Sequence, residues 1–332
     1  MSFKIGEVHP NTPHLFADLA ELLLLANYVG RPYIHKNDLE GVLINGSITT
    51  EEIDDEADAE QEAIDTEKSS AERTDRVEQQ LEDVFTQLGY RADALGDYYP
   101  FSIEGEQLVM QDVLSEKHRV YRLLLACSRL RSFGRSGLPQ RWAKHFAQLS
   151  KIALEALVPA RAETRIFDAN SDDRQNYYST DLRVALKTMG KDLGVLSINE
   201  VECNKAGPSG DAGFDLIATI KFDDGAATNF ALLGQCGAQE SGWPSKTLEA
   251  HPIKLRPYFQ SLFEYPSTMF TPVCYRTAAG EWVDHSGAAG VLLVDRGRIL
   301  NLIDARNQWA ELVQLPWFNA FEQEFATTIS VQ

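Results

Sequence analysis

Between Ser209 and Gly237 the chain runs through a glycine-rich bend, an apolar stretch, a polar turn and a second apolar stretch. The bend is Ser209-Gly210-Asp211-Ala212-Gly213-Phe214-Asp215, and it runs into a β-type stretch over Phe214 to Phe222. Asp223-Asp224-Gly225 makes the turn, and Phe230 to Cys236 brings the chain back. Two such runs joined by Asp and Gly residues read as an antiparallel hairpin. It places Asp215, at the mouth of the outbound strand, beside Gln235, at the end of the inbound one. A carboxylate and a carboxamide beside main-chain carbonyls make an oxygen-rich site of the kind Mg²⁺ prefers.

The surroundings of the hairpin predict an α/β domain over residues 138–332, a mixed central sheet flanked by helices. Leu138 to Leu157 has helical period, with Trp142, Phe146, Leu149, Ala153 and Ala156 on one stripe and Pro159 closing it. Asp181 to Leu193 also reads as a helix, Val195 to Val201 as a further β-type run, and the chain from Asp304 through Trp309, Leu312 and Phe321 as helical. At 332 residues the chain exceeds what one hydrophobic core usually organises, so a second unit is expected. Residues 1–137 supply it as a mainly helical, acidic region. Its helices are predicted over Thr12–Val29, over residues 74–88 with Gly89 as the stop, and over residues 117–135. The last of these carries Lys117, Arg119, Arg122, Arg129, Arg131 and Arg135 around its apolar set, a face that is either solvated surface or a contact for a duplex backbone.

The net charge of −18 argues at first against a nucleic-acid partner, because phosphate binding is driven by Lys and Arg. The charge is unevenly placed. Residues 1–100 hold 22 acidic and 7 basic side chains, so residues 101–332 are close to neutral at net −3. Residues 51–67 alone carry ten acids and no base, and 51–72 is expected to be flexible. That stretch reads as a linker or exposed helix, or as a strip that imitates DNA in a basic groove.

Other chemistries find no support. The four cysteines form no CxxC pair, which predicts reduced thiols and a cytoplasmic location. No secretory signal is evident, and the longest apolar runs, Leu22–Ala26 and Leu123–Cys127, predict no membrane insertion. The seven histidines form no HxH or HExxH step, and the sequence has no P-loop. Ser209 lacks the spacing of a nucleophile elbow, and Cys236 on an apolar strand reads as a packing residue. Trp282, Trp309, Trp317, Tyr258, Phe259, Phe263 and Tyr265 could stack bases but read as core.

The span from Gly210 to Lys246 resembles the PD-(D/E)xK phosphodiesterase superfamily, the restriction-endonuclease-like fold. Gly210-Asp211-Ala212-Gly213-Phe214-Asp215 is similar to the bend that introduces the metal-binding Asp of that family on the second strand of its sheet. Gln235 stands where the family has an acidic residue or Gln on the third strand. Gly237 stands where the family usually has Lys, and Lys246 in Trp243-Pro244-Ser245-Lys246 looks like the migrated lysine. The usual helix glutamate after an aromatic residue falls on Ala147 after Phe146, with Glu155 or Glu163 as substitutes.

The resemblance, which covers about residues 140–250, implies a Mg²⁺-dependent phosphodiesterase, with Mn²⁺ as a substitute. Asp215, Gln235 and the Cys236 carbonyl would hold the metal, and Lys246 would stabilise the pentacovalent transition state. It further implies a DNA endonuclease, RNA remaining open as substrate. Lacking an ATPase of its own, it would act beside a partner ATPase or sensor, as the effector of a bacterial anti-phage or restriction system, and a homo-oligomer is possible. The alternative is a catalytically inactive nuclease-like scaffold in such a complex.

Overall fold

In the computed structural model the described residues are 3–45, 47–48, 70–134, 136–210, 212–238, 247 and 250–329. Lys246, Asp211 and the acidic run 51–67 therefore lie outside the described residues. The chain forms two compact units, one of Met1–Pro139, Val273–Val283 and Pro316–Gln332, the other of Gln140–Pro272 and Asp284–Leu315. The single cut expected between 137 and 138 thus becomes a division in which two C-terminal stretches fold with the first unit.

The first unit is built around the Pro13–Leu25 helix, whose Leu15, Phe16, Leu19, Leu22 and Leu23 are buried, as are Ala17 and Ala20 on its remaining surface. A helix buried all round is a core helix, and its two acids must then be compensated internally. Arg91, fully buried, donates from Nη1 to Asp18 Oδ1 and to Glu21 Oε1, both at 2.7 Å. The Tyr99 and Tyr121 hydroxyls donate to the two Glu21 oxygens at 2.9 and 2.7 Å.

Arg91 sits on a helix spanning Ser70–Leu95, so the expected stop at Gly89 is corrected. One glycine costs a helix only about 1 kcal/mol, which the burial of Leu88, Arg91 and Leu95 on either side of it outweighs. A second correction concerns the mainly helical character expected of this region. Tyr33–His35, Gln107–Met110 and Phe101–Glu104 form a three-stranded antiparallel sheet in that order. The Glu116–Ser128 helix opens on a capping box at Ser115 and ends before the predicted limit, at Ser128. Three of the basic residues expected on this face are engaged. Arg119 and Arg122 both pair with Glu322 of the Pro316–Ile329 helix, and Arg129 is buried, donating to the Ile5 carbonyl. This face is a helix–helix seam.

The second unit is a mixed α/β structure centred on a five-stranded sheet. Its strands are β1 (Glu163–Ile166), β2 (Leu216–Ile220), β3 (Phe230–Cys236), β4 (Ser267–Phe270) and β5 (Leu292–Val294), lying side by side in that order. β1, β2 and β3 are antiparallel neighbours, while β4 runs parallel to both β3 and β5. All five residues of β2 are buried, so both faces of the sheet are covered. On one face Ile217, Ala231 and Leu233 pack with Leu182, Ala185, Leu186 and Met189 of the Leu182–Leu193 helix. That helix starts on an Asp181 cap and stops at Gly194 in the left-handed region, φ +64°. Of the run expected over Val195–Val201, only Ser197–Ile198 is strand, and it pairs with Phe259–Gln260 in a separate ribbon.

Candidate functional site

The hairpin is present, with β3 over the expected residues. Its ladder pairs Leu216 with Gly234 and Ile217 with Leu233 and ends there: the Asp215 N–H donates to the same Gly234 carbonyl, off the register that would set Asp215 opposite Gln235. Both side chains are nearly enclosed, Asp215 at 8% exposure and Gln235 at 5%.

The bend that delivers Asp215 depends on unusual backbone. Gly213 has φ +87°, which glycine adopts freely, and Ala212 has φ +58°, which costs an L-residue roughly 1–2 kcal/mol. Asp215 is then fixed by main chain on both sides. Its N–H donates to the Gly234 carbonyl at 2.8 Å, and its own carbonyl accepts from the Phe167 N–H at 2.6 Å. Its carboxylate oxygen Oδ2 accepts from the Cys236 N–H at 2.7 Å, a contact that aims the carboxylate at the end of β3. Gln235 Oε1 is buried without a hydrogen-bond partner. A buried acceptor left unpaired costs about 1–3 kcal/mol, and such a group calls for an explanation.

Sequence reasoning missed Arg174. Its side chain is fully buried and lies 4.6 Å over the Phe167 ring. Nη1 donates to the carbonyls of Phe167 at 2.9 Å and Gly210 at 3.0 Å, and Nε donates to Ser179 O at 3.0 Å. Arg174 therefore ties the end of β1 to the glycine bend, two contacts away from Asp215. It opens a π-helical turn, Arg174–Tyr178, and nothing in a polar loop sequence marks one Arg as buried. Next to it, Asp173 Oδ2 accepts from the Ile166 N–H at 2.7 Å and closes the same corner.

The two candidate glutamates are not at this site. Glu155 pairs with Arg306 at 2.7 Å, its carboxylate committed to the Arg296–Arg306 helix. Glu163 begins β1 opposite Thr219 and pairs with Arg165, whose guanidinium holds its carboxyl below the usual range. It lies four strand positions from Phe167, about 13 Å along the sheet. Ala147 is buried and offers no ligand. Among the described residues no three His, Cys, Asp or Glu side chains gather into a metal-binding group. The groups shown in contact are the Asp215 carboxylate and the main chain at Cys236, with the Gln235 carboxamide one residue before it, and Lys246 lies outside the described residues. Among them also, no helix is long and apolar enough to cross a membrane.

Comparison with protein-family models, curated proteins and solved structures returned no match. The class that the geometry itself defines is a mixed α/β protein with a mixed sheet flanked by helices.

Proposed function

We propose that the second unit is a Mg²⁺-dependent phosphodiesterase of restriction-endonuclease-like type that cleaves DNA. The observation that carries the reading is the Asp215 carboxylate held against the Cys236 N–H at the end of β3, with the neighbouring Gln235 Oε1 buried and unpaired. A hard divalent cation beside Asp215 would supply what that oxygen lacks. The strand order supports the same reading, because Asp215 immediately precedes the second strand of the sheet and Gln235 is the last residue but one of the third. These are the places that the sequence resemblance assigns to the family's metal ligands.

In this mechanism Asp215 and Gln235 would hold the cation, with the Cys236 carbonyl as a further ligand. A cation held there would supply Lewis-acid activation of water and compensation of charge on the leaving oxygen. Lys246 meets the charge that builds up on the phosphate. Arg174 preserves the bend and so the position of Asp215. The near-neutral charge of residues 101–332 leaves room for a polyanionic substrate, and the protein acts as a defence or restriction effector beside a partner ATPase or sensor.

One observation favours a second reading, an inactive scaffold of the same fold: Glu155 is paired away from the site and Ala147 stands where a ligand is expected. Both readings are separated by assaying the purified chain on plasmid, linear DNA and RNA with Mg²⁺ or Mn²⁺, alongside Asp215→Ala and Lys246→Ala. Metal-dependent cleavage lost in both variants supports the nuclease, and the substrate arm decides between DNA and RNA. Mn²⁺ binding that needs Asp215 but comes with no cleavage in any arm supports the scaffold. Absence of both cleavage and Asp215-dependent Mn²⁺ binding refutes the metal site.

A further inference from the structure

From Lys117 to Leu154 the chain holds nine Lys and Arg side chains and no Asp or Glu, in a protein of net charge −18. An acid-free run of this length concentrates positive charge that the rest of the chain does not carry. Part of it is consumed in the first unit, where Arg119 and Arg122 pair with Glu322 and Arg129 is buried. The last three cations, Arg141, Lys144 and Lys151, lie on the Leu138–Leu157 helix, within the second unit.

At about 100° per residue, these three and Gln148 fall within about 80° of the helix circumference. The opposite side is the buried stripe of Trp142, Phe146, Leu149 and Ala153, so packing of that stripe turns the cations outward. Lys144 is exposed, and Arg141, Gln148 and Lys151 are half-buried. From Arg141 to Lys151 the ridge is about 15 Å long. The helix carries a single acid, Glu155, whose carboxylate is neutralised by Arg306 at 2.7 Å.

The ridge ends at the corner that holds the candidate site. Lys151 Nζ lies 3.6 Å from Asp173 Oδ2, the oxygen that accepts from the Ile166 N–H at the end of β1. The N–H of the next residue, Phe167, donates to the Asp215 carbonyl. The Lys151–Asp173 pair is long and both side chains are partly exposed, so it contributes at most about 1 kcal/mol and leaves the ammonium exchangeable onto a phosphate. Asp172, exposed, is an opposing charge at this corner.

We propose that the ridge of Arg141, Lys144 and Lys151 binds the sugar–phosphate backbone of duplex DNA and leads it to the Asp215 corner. Resting on the phosphodiesterase reading for the identity of the substrate, the ridge supplies what Asp215 and Gln235 lack, positive charge to hold a polyanion. Cations spaced along one line match phosphates spaced along one strand, and such contacts fix position without reading sequence. An acidic protein segment would match the charge but not the place, beside a site for a phosphodiester.

The test is binding of a fluorescent duplex of about 20 base pairs to the full chain, read by anisotropy in EDTA so that nothing is cleaved, between about 50 and 200 mM salt. Lys144→Gln and Lys151→Gln should each weaken binding about tenfold at about 0.1 M salt and lower the salt slope by about 1. Lys144→Arg keeps the charge and should bind as wild type does. Lys254→Gln makes the same charge change on the turn whose Leu255 packs with the Leu182–Leu193 helix, and should leave affinity and slope as they are. Because Lys144 is exposed, its variants should unfold at the wild-type temperature, which separates lost binding from lost folding. DNA held alike by wild type and both ridge variants, weakened as much by Lys254→Gln, or not bound by wild type at about 50 mM salt, overturns the ridge and leaves the phosphodiesterase to its own cleavage assay. Ridge-dependent binding in a chain that neither cleaves DNA nor binds Mn²⁺ through Asp215 upholds the ridge and refutes the phosphodiesterase.

Discussion

His14 should make the folded chain lose stability as pH falls from neutrality. Burial pushes its imidazolium down, from the ordinary 6.5 to about 3. The Asp18 carboxylate works weakly in the other direction, and Arg91 and His9 add to the depression. The unfolded chain therefore takes up a proton near pH 6.5 that the folded chain refuses until about pH 3. The sign follows: this contribution is fully present above pH 6.5 and is lost progressively as pH falls towards 3. Each pH unit inside that window costs about 1.4 kcal/mol, hence about 1.4 kcal/mol at pH 5.5 and about 2.7 kcal/mol at pH 4.5 relative to neutrality. His14→Phe keeps an aromatic ring for the edge-on contact with Tyr275, whose centroid lies 5.5 Å away, and removes the titration. The assay is urea unfolding of both proteins at half-unit steps from pH 7.5 to about 4.5, comparing the difference between them so that every other titrating group cancels. The loss of packing displaces the variant by a constant. The stability gap between the two should then shift in the variant's favour by about 1.4 kcal/mol on going from pH 7.5 to 5.5. Parallel curves would show that His14 titrates alike in both states and refute the burial argument.

Four further outcomes follow from local geometry. Gly89→Ala should stabilise the Ser70–Leu95 helix by about 1 kcal/mol, because a Cβ there meets nothing within 4 Å; a lower thermal midpoint would contradict this. Gly234→Ala should cost about 1–3 kcal/mol in urea unfolding, since its Cβ would lie 3.1 Å from Leu216 Cβ and 3.2 Å from both Phe270 and Thr268. Arg174→Met should cost about 3 kcal/mol by stranding buried carbonyls, and Arg174→Lys should recover only part because an ammonium lacks the planar fork. Lys221→Met should cost about 1–3 kcal/mol by removing a 2.7 Å ion pair from Asp192, at 4% side-chain exposure, whose Oδ1 still accepts from the Tyr177 hydroxyl. An unchanged urea midpoint in Lys221→Met would show that pair to be screened.

The hairpin was legible because each strand is long enough to show its character and the turn between them is marked by Asp and Gly. Leu138–Leu157 and Leu182–Leu193 were legible for a related reason, several turns of one buried stripe each. The first unit's sheet was not, since strands of three or four residues complete fewer than two alternations before they end. Its pairing of Tyr33–His35 with Gln107–Met110 spans some seventy positions, a contact no local pattern encodes. The basic face of Glu116–Ser128 was visible as composition, but its meaning rests on Glu322, two hundred residues later. Glu155 misled for the same reason, because Arg306 claims it from a distant helix. Arg174 gave no signal at all, since a buried cation satisfied by main-chain carbonyls leaves no partner side chain in the sequence.

The placement of Asp215 against the end of β3 depends on strand register more than on the residue itself. Sliding β3 by one position against β2 would break the Leu216–Gly234 pairing, carry the Cys236 N–H away from the Asp215 carboxylate and turn every β3 side chain to the other face. Two features hold the register against that slip. The Cys236 N–H reaches Asp215 Oδ2 at 2.7 Å only in this alignment, and Gly234 sits where Leu216, Thr268 and Phe270 leave no volume for a side chain. Glycine is a poor strand residue, and its place in the middle of β3 reflects this crowding between β2 and β4. On this view the Gly-Gln-Cys step of β3 is one unit: glycine sets the spacing, glutamine offers the unpaired oxygen, and the cysteine N–H orients the carboxylate that would share a cation with it.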